Sequence, residues 1–171
     1  MPRKTGLEHL REVYPVTMPL PLNKNDYPGC LESWEEATWE RLSAEKKELG
    51  KFKSGVRGEG INSSWLEKED GTRVPVVRQS LILGEARRTW ITMRDFGIEL
   101  VSFHDTPIPT RDYFRATMET QYIELRLCAD HWKADKLWKE NFSSWKQGPR
   151  PPKKEPQADE DGTPSKTVSE V

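Results

Sequence analysis

The sequence predicts a mainly α-helical fold: a small irregular domain of about four or five helices, with a long glycine-containing loop and a disordered C-terminal tail. Three observations point to it. Apolar residues recur every three to four positions in the long segments, the period of a helix that buries one face. Alternation of the kind a half-buried strand needs is confined to short stretches. Glycine and proline gather at 50–73 and 147–171, where the helical period disappears.

At the N-terminus, Thr5 and Glu8 have the spacing of a capping box, and Leu7 and Leu10 share a side before Pro15 stops the helix. Pro15, Pro19, Pro21 and Pro28 then favour extended backbone. Tyr14, Val16, Met18, Leu20 and Leu22 alternate, which leaves a docked arm and a loose tail both open. Residues 1–29 form this first unit, and 30–146 form the helical domain.

Between Leu31 and Leu49 the chain is charged and helix-favouring, with Leu31, Trp34, Thr38 and Leu42 on one stripe and Trp39 off it. One surface helix or two are expected here, with Ser43 available to open the second and Gly50 to end it. In the 50–73 excursion Gly55, Gly58, Gly60 and Gly71 break any period. Pro75 suits the first turn of the next helix, whose core face is Val76, Leu83, Ala86, Trp90 and Met93 and whose stop is Gly97. Gly84 weakens its middle.

Ile98, Leu100 and Phe103 read as an extended connector ended by Pro107 and Pro109. Thr110 is the expected N-cap of a helix with two apolar sides: Phe114, Met118, Tyr122, Leu125 and Ala129 on one, Tyr113, Ala116, Ile123 and Leu127 on the other. Such a helix lies at the centre of a core or is shared with a partner. The chain bends near Asp130, and His131, Ala134, Trp138, Phe142 and Trp145 start a fresh stripe. Residues 147–171 carry five prolines and little apolar surface, the composition of a disordered tail.

Composition narrows the function classes. The 171 residues carry 27 basic and 28 acidic side chains, a net charge of -1, so no global field draws the chain to nucleic acid or to an anionic membrane. No apolar run approaches the roughly 18–20 residues that cross a bilayer, and no secretory h-region is present. Two cysteines, Cys30 and Cys128, make no disulfide framework, and an intracellular location is expected.

Seven tryptophans set the leading functional expectation, a non-enzymatic protein-interaction module. Its candidate contact residues are Trp132, Trp138, Phe142 and Trp145, the alternative being a small core that uses few, large side chains. The partner is an unknown protein or a second copy. A small nucleic-acid-associated protein is the second expectation, using Arg87, Arg88 and Arg94 with the loop residues Lys51 and Lys53, although interleaved acids favour a solvated face. Lys133, Lys136 and Lys139 read in the same way as a basic side of the last helix.

No catalytic residue, metal site or cofactor is assigned. Cys128 and His131 have a spacing that would seed a metal site, but Cys30, His9 and His104 supply no paired partner. As nucleophile and base the same pair lacks an orienting third group. His104 and Asp105 are neighbours on an extended chain and point apart, which favours a simple turn. The glycines of Gly55 to Gly60 follow their lysines instead of preceding one, against a phosphate loop. An enzyme would require Cys128, His131 or His104 to converge in one pocket.

The run Leu125 to Trp145, LRLCADHWKADKLWKENFSSW, resembles a segment of uncharacterised intracellular proteins of mushroom-forming, basidiomycete fungi. There a helix ending in an LxLC-like run leads into an HWK-x-x-x-x-W stretch with a terminal aromatic pair. Cys128, His131, Trp132, Lys133, Trp138, Phe142 and Trp145 occupy those positions here. The resemblance implies a lineage and carries no activity, cofactor or catalytic residue.

Overall fold

Thr5 and Glu8 cap each other as their spacing requires: the Thr5 hydroxyl accepts from the Glu8 amide at 3.3 Å and the Glu8 carboxylate accepts from the Thr5 amide at 2.7 Å. They open α1, Gly6–Val13. A computed structural model of the chain describes residues 4–48 and 64–148. The segment 49–63, with most of the expected glycine excursion, and the expected disordered tail from 149 onward lie outside the described residues. After α1 the described elements are α2 (Glu36–Glu48), α3 (Val76–Asp95), α4 (Ile108–Gln121), α5 (Ile123–Arg126) and α6 (Trp132–Lys146), with 3-10 turns at Lys24–Asp26 and Pro28–Ser33. The chain is mainly helical, as its periodicity predicts; the described residues add a single isolated bridge, Glu67 with Arg73.

The arm after α1 is docked. The Tyr113 hydroxyl donates to the Tyr14 carbonyl at 3.2 Å, and Arg126 donates to the Leu20 carbonyl at 3.0 Å. Val16, Met18 and Leu22 are half-buried, while Tyr14 and Leu20 face solvent. Backbone bonds made by α4 and α5 side chains settle the arm where apolar alternation alone left it open.

Helices α3, α4 and α6 build the main core around Trp90. Its ring stacks on Phe114 at 5.8 Å and meets Trp138, Phe142 and Trp145 at 6.0, 5.3 and 5.5 Å. Trp132, Trp138 and Phe142, the expected partner contacts, are therefore buried within the chain, and only Trp145 keeps part of its surface. Both apolar sides of α4 are also used internally, since Phe114, Met118, Tyr113 and Ala116 are all buried.

Several boundaries differ from expectation for local reasons. Helix α4 begins at Ile108 after Pro107, so Thr110 is buried inside its first turn and is not the cap. The helix breaks at Tyr122, whose backbone is extended, leaving α5 as one turn. Leu31 sits in a 3-10 turn and is exposed, whereas Trp34 at its end is buried, so the two do not share the expected stripe. Ser43 lies inside α2, which runs unbroken from Glu36. On α3 the buried row includes Ile82 and omits Val76, which is exposed at the first turn.

Lys133 departs furthest from expectation. Instead of joining a solvated basic side, it is fully buried, and its ammonium donates to the Ser33 hydroxyl at 3.0 Å. That hydroxyl donates in turn to the Glu67 carboxylate. Burial holds the Lys133 pKa below its usual value, with Glu67 the main charge opposing the shift, and burial raises the pKa of Glu67. Glu67 reaches this place because Trp65, Leu66 and Val74 anchor the second half of the excursion in the core. At its tip Gly71 has φ +79, and a Cβ there would collide with the Gly29 carbonyl in the 3-10 turn that carries Ser33.

Two alanine substitutions therefore have opposite expected signs in urea denaturation. Gly71→Ala loses at least about 1–2 kcal/mol from the left-handed backbone alone, with the collision added. Gly84→Ala, on α3 where a Cβ meets open space, gains about 0.5–1 kcal/mol. Between the folded and unfolded pKa of Lys133 the unfolded chain holds the proton and the folded chain does not, so stability rises with pH toward 10.5. Urea midpoints measured from about pH 7 to about pH 10 are expected to rise for the wild type relative to Lys133→Met.

Candidate functional site

The reversal from α5 into α6 is made without glycine. Asp130 at φ 51 and His131 at φ 61 are both left-handed, a conformation that Asp and His tolerate better than most residues but that still costs about 1 kcal/mol or more each. The surrounding bonds fix it. The Trp34 carbonyl accepts from the Ala129 amide at 2.8 Å and from the Trp132 indole at 3.0 Å, clamping the turn on both sides.

The turn aims His131 at Glu119 on α4. Nδ1 lies 2.8 and 2.9 Å from the two carboxylate oxygens of this buried residue. A carboxylate accepts, so Nδ1 carries the hydrogen of this contact. Burial raises the Glu119 pKa, and His131, Arg115 and Arg126 oppose that shift. One turn away, Arg115 grips Asp135 through two bonds of 2.7 Å, fixing α4 against α6 beside the His131 contact.

A cavity of about 230 Å³ opens beside this pair. Leu22 and Trp34 give it apolar walls, the solvent-facing Leu20 lies at its rim, and Arg126, Asp130 and His131 give it polar walls. Cys128 also lines it, so two of the three residues considered for catalysis do converge. The thiol donates to the Leu125 carbonyl at 3.3 Å, and burial raises its pKa to about 12, so it supplies no thiolate for His131 to work with near neutrality. His104 lies elsewhere, exposed and edge-on to Phe103, and Asp105 accepts from Ser102 at 2.6 Å. Among the described residues no group of three or more His, Cys, Asp or Glu is placed to hold a metal ion.

The expected phosphate-facing residues are split. Arg87, Arg88 and Arg94 are all exposed on α3, but Arg88 pairs with Glu85 at 3.3 Å. Arg94 lies 3.9 Å from Asp95 and over the Trp145 ring at 5.7 Å. Lys51 and Lys53 lie outside the described residues. Lys136 is turned over Trp39 at 4.7 Å and pairs with Glu140.

The outer side of α3 has a different character. Val77 is 75% exposed, Leu81 53% and Ile91 38%. With Gly84 and Arg88 they fall on an arc of about 80° along roughly 21 Å of helix. A Cβ at Gly84 would meet nothing within 4 Å, so the row has a shallow centre. No described helix is long and apolar enough to cross a membrane.

Comparison with protein-family models, with curated proteins and with solved structures finds no match. The two thiols differ in access, since Cys30 is fully buried with its pKa raised by burial, whereas Cys128 is half-buried at the cavity wall. Iodoacetamide at about pH 8 is expected to leave Cys30 unmodified by intact mass and peptide mapping in the folded chain, and to label both thiols in denaturant.

Proposed function

We propose that this chain is a protein-interaction module whose contact surface is the outer face of α3 and whose partner is a second copy of the chain. The supporting observation is the exposed row of Val77, Leu81 and Ile91 on a helix whose opposite side is fully used by the core. Val77 and Ile91 each lie seven residues from Gly84. An antiparallel two-fold crossing centred on Gly84 therefore sets Val77 of one copy against Ile91 of the other, and the missing Cβ lets the helices approach closely. The Arg88 stem then covers Leu81 of the second copy, while its guanidinium stays with Glu85 at the rim. The contact is short, so a concentration-dependent dimer is expected.

A nucleic-acid role for Arg87, Arg88 and Arg94 draws on the same helix, but Glu85 and Asp95 lie beside two of the three arginines. Affinity for DNA or RNA that falls steeply with salt would favour it over self-association.

Light scattering across a concentration series to about 100 μM is expected to show the mass rising toward a dimer. Leu81→Glu and Gly84→Lys are expected to hold it at the monomer with an unchanged circular dichroism spectrum. Gly84→Lys is the sharper variant, because it improves helix propensity while blocking the crossing. A wild-type monomer throughout the series, or a dimer indifferent to both substitutions, overturns the proposal.

A further inference from the structure

We propose that the cavity beside the α5–α6 turn is a binding site for a small zwitterion, a free α-amino acid with an apolar side chain. The proposal is independent of the α3 contact. A volume of about 230 Å³ is small for a ligand cavity. That matches a leucine-sized molecule, and the division of the walls matches its chemistry.

At the polar end, the Nδ1 contact with Glu119 fixes the His131 ring at the cavity wall. The Asp130 carboxylate, exposed at the cavity, is the acceptor. Arg126 is the donor: one Nη holds the Leu20 carbonyl, which fixes the guanidinium at the cavity wall. An ammonium group fits the Asp130 carboxylate and a carboxylate fits the Arg126 guanidinium. A zwitterion leaves the charge of the site unchanged. A lone carboxylate would face Asp130 and the buried Glu119, and a lone amine would face Arg126. The side chain is left to Leu22 and Trp34.

Backbone strain supports the same assignment. Glycine would adopt the turn freely, yet the chain places two polar side chains at its left-handed positions, and both line the cavity. The Trp34 carbonyl and the Glu119 carboxylate hold this geometry before any ligand arrives, so binding does not have to order it.

The test is calorimetric titration of the full chain with L-leucine, with 4-methylpentanoate, which lacks the ammonium, and with 3-methylbutylamine, which lacks the carboxylate. L-leucine is expected to bind, with both analogues at least about tenfold weaker. Asp130→Gly, whose backbone suits glycine, is expected to keep or raise the thermal midpoint while weakening L-leucine at least about tenfold. His131→Asn, which also tolerates the left-handed region, is expected to weaken it similarly. The assignment is overturned by any of three results: no heat with L-leucine to about 10 mM, equal binding of an analogue, or unchanged binding by folded Asp130→Gly. The dimer experiment reads a different surface and neither supports nor removes this one.

Discussion

Burial of one ammonium group constrains this fold more than any other contact. Removing Lys133 from water costs several kcal/mol unless every hydrogen bond and a counter-charge are in place. Ser33 supplies a hydrogen bond and Glu67 the main opposing charge, from two distant parts of the chain. The 3-10 turn, the anchored segment Trp65 to Val74 and the start of α6 must therefore assemble together. Gly29 and Gly71 let the first two touch backbone to backbone. The Trp34 carbonyl, one residue beyond Ser33, then fixes the α5–α6 turn through two further bonds.

Around this polar anchor the remaining stability comes from area. Trp90 and Trp138 are buried with indole nitrogens that have no hydrogen-bond partner, and each such group costs about 1–3 kcal/mol. The core tolerates this because each ring packs against several others, and an aromatic side chain removes 150–250 Å² from water, by the usual range. Helix α4 supplies both of its sides to this packing, leaving the outer row of α3 as a clear apolar surplus.

The cavity is a by-product of the same two constraints. Its polar wall exists because the turn into α6 is clamped in a left-handed conformation, and its apolar wall exists because Arg126 and Tyr113 hold the arm down. Neither wall belongs to one element. Loosening the arm would open the site without touching His131 or Glu119.

Local regularities were legible in the residue string. The Thr5–Glu8 cap, the Gly97 stop at φ +76, the break near Asp130 and the helical class all follow from short-range sterics and period, which neighbouring residues fully specify. The fate of individual side chains was not. Lys133 follows the same pattern as solvated Lys139, and only Ser33 and Glu67, brought from 100 and 66 positions away, make its burial tolerable. Trp138 and Phe142 are equally suited to a partner groove and to a core, and the packing of α3 and α4 assigned them to the core. Glu119 meets His131 across a helix break that no periodicity spans. Backbone preference is a local energy and is written locally, whereas burial, pairing and cavities are sums over distant groups that acquire a value only once the chain has closed on itself.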